Sequence, residues 1–573
     1  MKKILPYLSK QKLRIIIQLI VKIIGTLMDL AIPYVLRYII DEVIPITTKE
    51  NYTQILWYGL LMVVFSAIGL SFNIIANQSA SYVAMNVTRE LRHDLFSKVE
   101  SLSNKQIDEI TMPSIISRLS TDTYNVHQMV GMMQRIGIRA PILLIGGIAV
   151  TLTLDPILTC VLLFTLPLII LATYIVSKLG IPIFHKVQTS IDNMIRVIRE
   201  NVSGVRVIKA LSKMDYEKNR FSKVNKEVMN YEIKSGYTMT TLNPIINILL
   251  NLGLVGVIVL GAFRIKGGET EVGKVIAFTS YFTIILNAML SITRIFMVFS
   301  RSAASAARIE YILDREEDLV VEDIKPKKSK YLIEFNNVDF SYNKKELNLE
   351  NINIKVLPGQ SLGIIGATGS GKTTLINLLM RFYDVDNGEI LIEGKNVKSF
   401  SHSKLKKLFG VAFQNDTIFS DTIRENITFG RDINDKKLRL AIECSQAKEF
   451  IENQPNGIET WLTPKGTNIS GGQKQRLFIA RALADNPKIL ILDDSSSALD
   501  YKTDSLLRQN IQKHYSCSTI IVAQRISSIK HCDNIIVLDE GKIVGNGTHE
   551  QLMNSSSIYN EIYQSQMGGD IDE

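Results

Sequence analysis

The chain predicts an all-α membrane domain of six helices, with long helical extensions on the cytosolic side, followed by an α/β domain built around a phosphate loop. Three observations carry this. The long apolar runs almost all fall before residue 301, and the remainder alternates strand-like and helical segments with charges throughout. The third is Gly366-Ala367-Thr368-Gly369-Ser370-Gly371-Lys372-Thr373, which lies between an apolar strand and a helix. At 573 residues the chain also exceeds what a single core organises.

A bilayer span needs about 20 apolar residues. Suitable runs lie at about 15–40, 55–85, 127–154, 157–180, 242–265 and 273–300, the third being the weakest because Arg135 and Arg139 crowd its start. The first run follows Lys2, Lys3, Lys10, Lys12 and Arg14 but is too long for a cleaved signal, so it is expected to stay as a membrane helix. An even number of spans returns both ends to one side. The connections from Arg89 to Arg118 and from Lys178 to Lys234 are rich in Lys and Arg, whereas those at Thr47–Asn51, Leu154–Pro156 and Lys266–Glu271 are short. Positive charge stays inside, so both termini and the second domain are expected in the cytosol, beneath a plasma membrane.

The two basic connections keep a helical pattern at Val87–Leu102 and Ile191–Ala210, so the helices should run past the membrane. The net charge of +9 gathers between apolar runs rather than on one soluble face, which sets nucleic acid aside as a partner. Cys160, Cys444, Cys517 and Cys532 lack metal-ligand spacing and read as reduced thiols. His531 and His549 read as solvated surface groups. The expected organisation is a membrane domain over 1–314, a charge-dense linker over 315–330, a nucleotide domain over 331–568 and an acidic tail over 569–573.

Within the second domain the strand Ser361–Ile365 leads into the phosphate loop, and a helix opens at Thr374. Glycines let backbone N–H groups wrap phosphates, Lys372 can reach the terminal phosphates, and the Thr373 hydroxyl can bind Mg²⁺. Lys488-Ile-Leu-Ile-Leu-Asp493 reads as a buried parallel strand, and Asp493 at its carboxyl end is a second candidate for the metal.

Ile469-Ser470-Gly471-Gly472-Gln473-Lys474-Gln475-Arg476 resembles the signature of ATP-binding cassette (ABC) transporters. Phe340-Ser341-Tyr342 is similar to the family's adenine-stacking element. Gln414 resembles its lid glutamine near the metal, and Ser497-Ala498-Leu499-Asp500 its dimer-contact loop. Arg301 to Glu310, leaving the last span, resembles the type IV, multidrug-resistance-like exporter branch. The resemblance covers essentially the whole chain. It implies a P-loop NTPase (ABC) fold for the second domain, ATP and Mg²⁺ as cofactors, and pairing with a second half-transporter. Two cassettes would sandwich two ATP molecules head to tail, with Ser470, Gly471, Gly472 and Gln473 completing the partner's site. It further implies inward- and outward-facing states, with Lys105–Pro113 and Ser212–Phe221 carrying motion to the spans.

Two positions depart from the family pattern. The residue after the metal-binding Asp is a Glu in competent cassettes, whereas here it is Asp494, whose carboxylate retreats by about 1.5 Å. Gln524 stands where the family has a switch histidine, and an amide offers neither ring geometry nor titration near neutral pH. A third departure is Thr460-Trp461-Leu462-Thr463-Pro464-Lys465-Gly466, where exporters carry an acidic, glycine-rich segment. Binding groups are kept while the groups acting on the γ-phosphate are altered. The resulting expectation is a heterodimeric exporter of amphipathic drugs or lipids in which this chain's own pocket is degenerate and hydrolysis falls mainly at the partner's site. The alternatives are a slow homodimeric exporter and a regulatory ATP-binding subunit.

Polar residues inside the spans are costly in lipid and should face protein or a wet cavity. They include Lys22 and Asp29 in the first span and Arg294 in the last. Asn243, Asn247 and Asn251 fall on one helical face.

Overall fold

The computed structural model describes residues 2–46, 52–414, 416–495 and 499–567. Residues 47–51 and 496–498, the latter including Ser497 and Ala498 of the expected dimer-contact loop, and the acidic tail lie outside them. The chain divides into two compact units, one of residues 1–100 with 112–315, the other of 101–111 with 316–573.

The first unit is helical. Its principal elements are α1 (Lys12–Tyr38), α2 (Thr53–Ser101), α4 (Thr123–Leu154), α5 (Pro156–Ser203), α6 (Val205–Ala210), α7 (Met214–Thr240), α8 (Leu242–Lys266) and α9 (Val272–Leu313), while α3 (Asn104–Ile110) packs with the second unit. Among the described residues, six helical stretches are long and apolar enough to cross a membrane. Several run far beyond the roughly 30 Å hydrocarbon core: α2 has 49 residues and α5 has 48, at about 1.5 Å per residue. Large apolar side chains such as Leu60, Val63, Leu70 and Ile74 on α2 are exposed, the expected result where the surrounding solvent is lipid.

Inside this unit Leu158, Leu162, Ile169, Phe278, Phe282 and Ile285 form a close-packed core. The Tyr281 hydroxyl donates to the Leu30 carbonyl at 2.5 Å, so this buried polar atom is satisfied. Asp155 caps α5 by accepting from the backbone N–H of Ile157 at 2.9 Å and of Leu158 at 3.2 Å, and Arg264 of α8 binds its other carboxylate oxygen at 3.2 Å. Between α5 and α7 lies the six-residue helix Val205–Ala210. Ser212 takes a left-handed φ of +52° and the next helix, α7, begins at Met214, so Ser212–Phe221 comprises a turn and the first residues of α7.

The second unit carries two sheets. An antiparallel one orders β2 (Leu349–Val356), β1 (Ile333–Phe340), β4 (Asn387–Ile392) and β5 (Lys395–Asn396). The other orders β10 (Lys542–Gly547), β9 (Asn534–Asp539), β3 (Ser361–Gly366), β8 (Ser518–Val522), β7 (Ile489–Asp493) and β6 (Phe409–Ala412), and is parallel from β9 to β6. β7 is buried at every position, as a strand covered on both faces must be. Helix α10 (Lys372–Leu379) follows the phosphate loop, and α11 (Gly471–Leu483) follows the signature.

Much of the charge-dense segment after residue 315 is tied to this unit. Arg381, only 1% exposed, donates to the Val320 and Lys398 carbonyls and to Asp384, while Lys327 N–H donates to Gly394 O at 2.8 Å. Helix α3 is seated similarly: Ser103 caps it and donates to Asp318 at 2.9 Å, Gln106 donates to Glu316 O at 2.7 Å, and Tyr383 donates to Asp108 at 2.6 Å. His549 is less exposed than its polar surroundings suggest, its Nδ1 lying 2.8 Å from the Tyr559 hydroxyl. All four cysteines are free, and burial pushes the Cys444 thiol up to about 11 and the Cys532 thiol up to about 12, which leaves both unreactive.

Candidate nucleotide site

The parallel register assembles the site. β8 lies between β3 and β7, with Val522 opposite both Ile364 and Asp493, so the carboxyl ends of three strands meet at one edge. Asp494 N–H donates to Val522 O at 2.8 Å and Ala523 N–H donates to Ile364 O at 3.0 Å, tying the segments that leave β7 and β8 to their neighbours. The edge opens into a cavity of about 540 Å³ lined by Thr368, Gly369, Gly371, Lys372, Thr373, Thr374, Gln414, Asp493, Asp494 and Gln524, among others.

The loop itself needs glycine. Gly371 has φ +101°, and a Cβ there would lie 2.7 Å from Leu349; a Cβ on Gly366 would lie 2.1 Å from Leu538 O. The backbone can therefore close around an anion at the start of α10. Lys372 Nζ donates to Gly366 O at 2.8 Å and to Ala367 O at 2.7 Å, so it lies across the loop it is expected to serve. The buried Ser370 hydroxyl has no hydrogen-bond partner among the described residues.

The electrostatics follow from two adjacent acids in a partly desolvated cleft. Asp493, 4% exposed, is pushed up to about 6 by burial and then by the charge of Asp494, against the opposing pull of Lys372. Burial also raises Asp494, opposed by the Gln414 amide, which donates to its carboxylate at 3.2 Å. Burial lowers Lys372, against the attraction of the two carboxylates. Asp494 adopts φ +47°, a left-handed conformation uncommon outside glycine, Asn and Asp.

Gly366, Ala367 and Ser370 of the loop do not themselves line the cavity, and neither does Tyr342, which borders it. Tyr342 is partly exposed, packs edge-on against Phe340 and Tyr383, and reaches the Thr374 hydroxyl at 3.4 Å. Ser470 is the N-cap of α11 and forms a reciprocal capping box with Gln473. Neither it nor Gly471, Gly472 or Gln473 lines this cavity. Within the divergent segment Leu462 is buried and Trp461 exposed, while Lys465 takes φ +62° and donates its N–H to Ile418 O at 3.0 Å.

Sequence reasoning missed Asn348, Glu540 and Gly541, which also line the cavity. The signal was present in Asp539-Glu540-Gly541-Lys542, a turn after an apolar strand. β9 runs parallel to β3, so its end falls beside the phosphate loop, and Gly541 N–H donates to Ser370 O at 3.2 Å. Gln566, near the C-terminus, was missed as well. It accepts from Ile526 N–H at 2.9 Å and donates to Gln524 O at 2.8 Å, fixing the backbone on which Gln524 sits. No local pattern signals so distant a contact.

Six apolar helices preceding a phosphate-loop domain of this topology define a multi-pass membrane protein powered by a nucleotide. Residues 15–289 match the ABC transporter transmembrane region and residues 349–497 match the ABC transporter domain. The chain is 33% identical to the uncharacterized ABC transporter ATP-binding protein YfiB of Bacillus subtilis strain 168, over 99% of each chain. It is 31% identical to the uncharacterized ABC transporter ATP-binding protein Mb1304c of Mycobacterium bovis, over 96% of this chain and 95% of the other. A solved bacterial Atm1-family ABC exporter with ATP bound superposes with a TM-score of 0.84 at 22% identity, over 98% of this chain and 99% of that one, and so shares the fold. The protein belongs to the ABC transporter family, and its second unit is an ATP-binding domain.

Proposed function

We propose that the chain is one half of a heterodimeric ABC exporter that moves amphipathic compounds, drugs or lipids, out across the plasma membrane. In this reading both termini and the nucleotide domain are cytosolic. ATP binds at residues 366–374, with Tyr342 against the base. The residues fit Mg²⁺: Thr373, Gln414 and Asp493 meet at one cavity, and a single carboxylate together with nucleotide phosphates is how Mg²⁺ is ordinarily held. The Ser470–Gln473 signature serves the pocket of a second, different chain.

The observation that carries the heterodimer is the placement of Asp494 and Gln524 in one cavity with Lys372 and Asp493. A group meant to orient the attacking water is about 1.5 Å short, and misplacement on the order of 1 Å costs about a hundredfold in rate. The Gln414 bond to Asp494 supports the same reading, because it turns that carboxylate toward the lid glutamine. The pocket then binds ATP and holds the cassettes together while the other pocket turns over.

The test is nucleotide trapping in the assembled complex purified from its native membrane. The expected result is a partner chain with Glu and His at the matching positions, ATP retained in the pocket built on Lys372, and ADP in the other. Equal ADP in both pockets, or a complex of identical chains with brisk turnover abolished by Lys372→Ala, would refute it.

A further inference from the structure

Lys22, Asp29, Arg135 and Arg139 come together in the membrane unit, where they line a cavity of about 650 Å³ with Asn77, Asn287 and Ser291. Four helices supply the walls: α1, α2, α4 and α9. The remaining lining is apolar, from Met132, Ile136, Ala140, Leu143, Ile284 and Ala288.

The charges do not balance. Among the described residues Asp29 is the one carboxylate in the lining, and it is engaged by Arg139 at 2.9 Å. Lys22, 2% exposed, donates to the neutral amide oxygen of Asn77 at 3.0 Å, and Arg135 Nε donates to the carbonyl of Gly131 on its own helix at 3.1 Å. Neither bond supplies a counter-charge. At membrane depth a lysine and an arginine draw on neutral acceptors, water or an anion, and of these an anion alone offsets the excess positive charge; the two together suit a phosphate, the ammonium as a point charge and the guanidinium as a fork. The cavity is larger than a bare anion requires, and its apolar wall continues from the charges, so the occupant must carry an apolar body too.

We infer that this cavity is a binding site for an amphiphile with an anionic, phosphate-type headgroup, the head held by Lys22 and Arg135 and the tail lying along Ile136, Leu143 and Ile284. The inference rests on the export of amphipathic compounds proposed above and narrows it to acidic ones. Asp29 then sets the strength of the site by occupying Arg139.

Isothermal titration of the full complex in neutral detergent provides the test, with dodecyl phosphate, dodecyltrimethylammonium and inorganic phosphate as probes. Dodecyl phosphate should bind at least about tenfold more tightly than either of the others. Lys22→Gln with Arg135→Gln should lose about tenfold or more, Lys22→Arg should stay within about threefold, and Asp29→Asn should bind more tightly because it releases Arg139. Nucleotide binding at Lys372 confirms that each variant is folded. Equal affinity for the trimethylammonium probe, inorganic phosphate binding as well as dodecyl phosphate, or a double variant indistinguishable from the parent would overturn the inference. If Lys22→Gln with Arg135→Gln does not fold, the Asp29→Asn result decides, and unchanged or weaker binding there overturns it. Tight, variant-sensitive binding with no flux of dodecyl phosphate in vesicles would leave the site standing and refute the export reading instead.

Discussion

At the scale of single residues, the proposed asymmetry turns on side-chain reach. Asp494 and Gln524 occupy the cavity edge because β7 and β8 end there, so lengthening one and replacing the other should repair cleavage without altering the fold. Asp494→Glu combined with Gln524→His is expected to raise ATP turnover at this pocket by about a hundredfold, read as ADP trapped on this chain. Either change alone should recover much less, since both groups act on the same phosphate. Asp493 makes a separate prediction. Its carboxyl is raised to about 6, so the folded state binds more protons than the unfolded chain between the ordinary carboxylate range and that value. The stability from the protonated form is full below this window and lost as pH rises through about 6. In the proposed role of Asp493 as the carboxylate that holds Mg²⁺, metal-nucleotide binding runs the other way, because that role needs the anion. Below about pH 6 the Mg²⁺-dependent part of ATP affinity should weaken by about tenfold per pH unit, and this component should vanish in Asp493→Asn.

At the scale of elements, the same sequence devices serve lipid and water. Asp155 both caps α5 and pairs with Arg264, with the two side chains 3% and 15% exposed, so one carboxylate starts a 48-residue helix and ties it to α8. Asp155→Ala removes the cap and leaves the guanidinium without that carboxylate. The expected loss is about 3 kcal/mol, visible as a lower thermal unfolding midpoint of the membrane unit in detergent, with Asp155→Asn intermediate because an amide still caps. Helix α3 shows how an element can be displaced from its sequence neighbours. It lies between two membrane helices in the chain yet is held by Asp318, Glu316 and Tyr383 of the nucleotide unit. The periodicity of Val87–Leu102 announced a helix continuing past the membrane, but not this seat, because hydrogen bonds between residues more than 200 positions apart have no local pattern.

At the scale of the whole molecule, the asymmetry proposed for the transporter follows from having one pocket that binds and another that cleaves. ATP shifts the balance toward closed cassettes only through its better contacts in the closed state. A pocket retaining ATP would bias that balance through several cycles of its partner, which is why trapping in the assembled complex, rather than turnover by an isolated chain, is the informative measurement.

Spans, phosphate loop, signature and the departures at Asp494 and Gln524 were all legible in the sequence, because each is written in consecutive residues whose spacing is dictated by bilayer thickness or phosphate geometry. Only the tertiary structure decided what those residues meet. It placed Glu540 and Gly541 in the nucleotide cavity, set Gln566 against the Gln524 backbone, tied the charge-dense segment to Arg381, and drew Lys22, Asp29, Arg135 and Arg139 around one cavity. The reason is physical: chemistry of a motif is local in the chain, whereas charge balance and burial depend on neighbours that packing brings from anywhere along it.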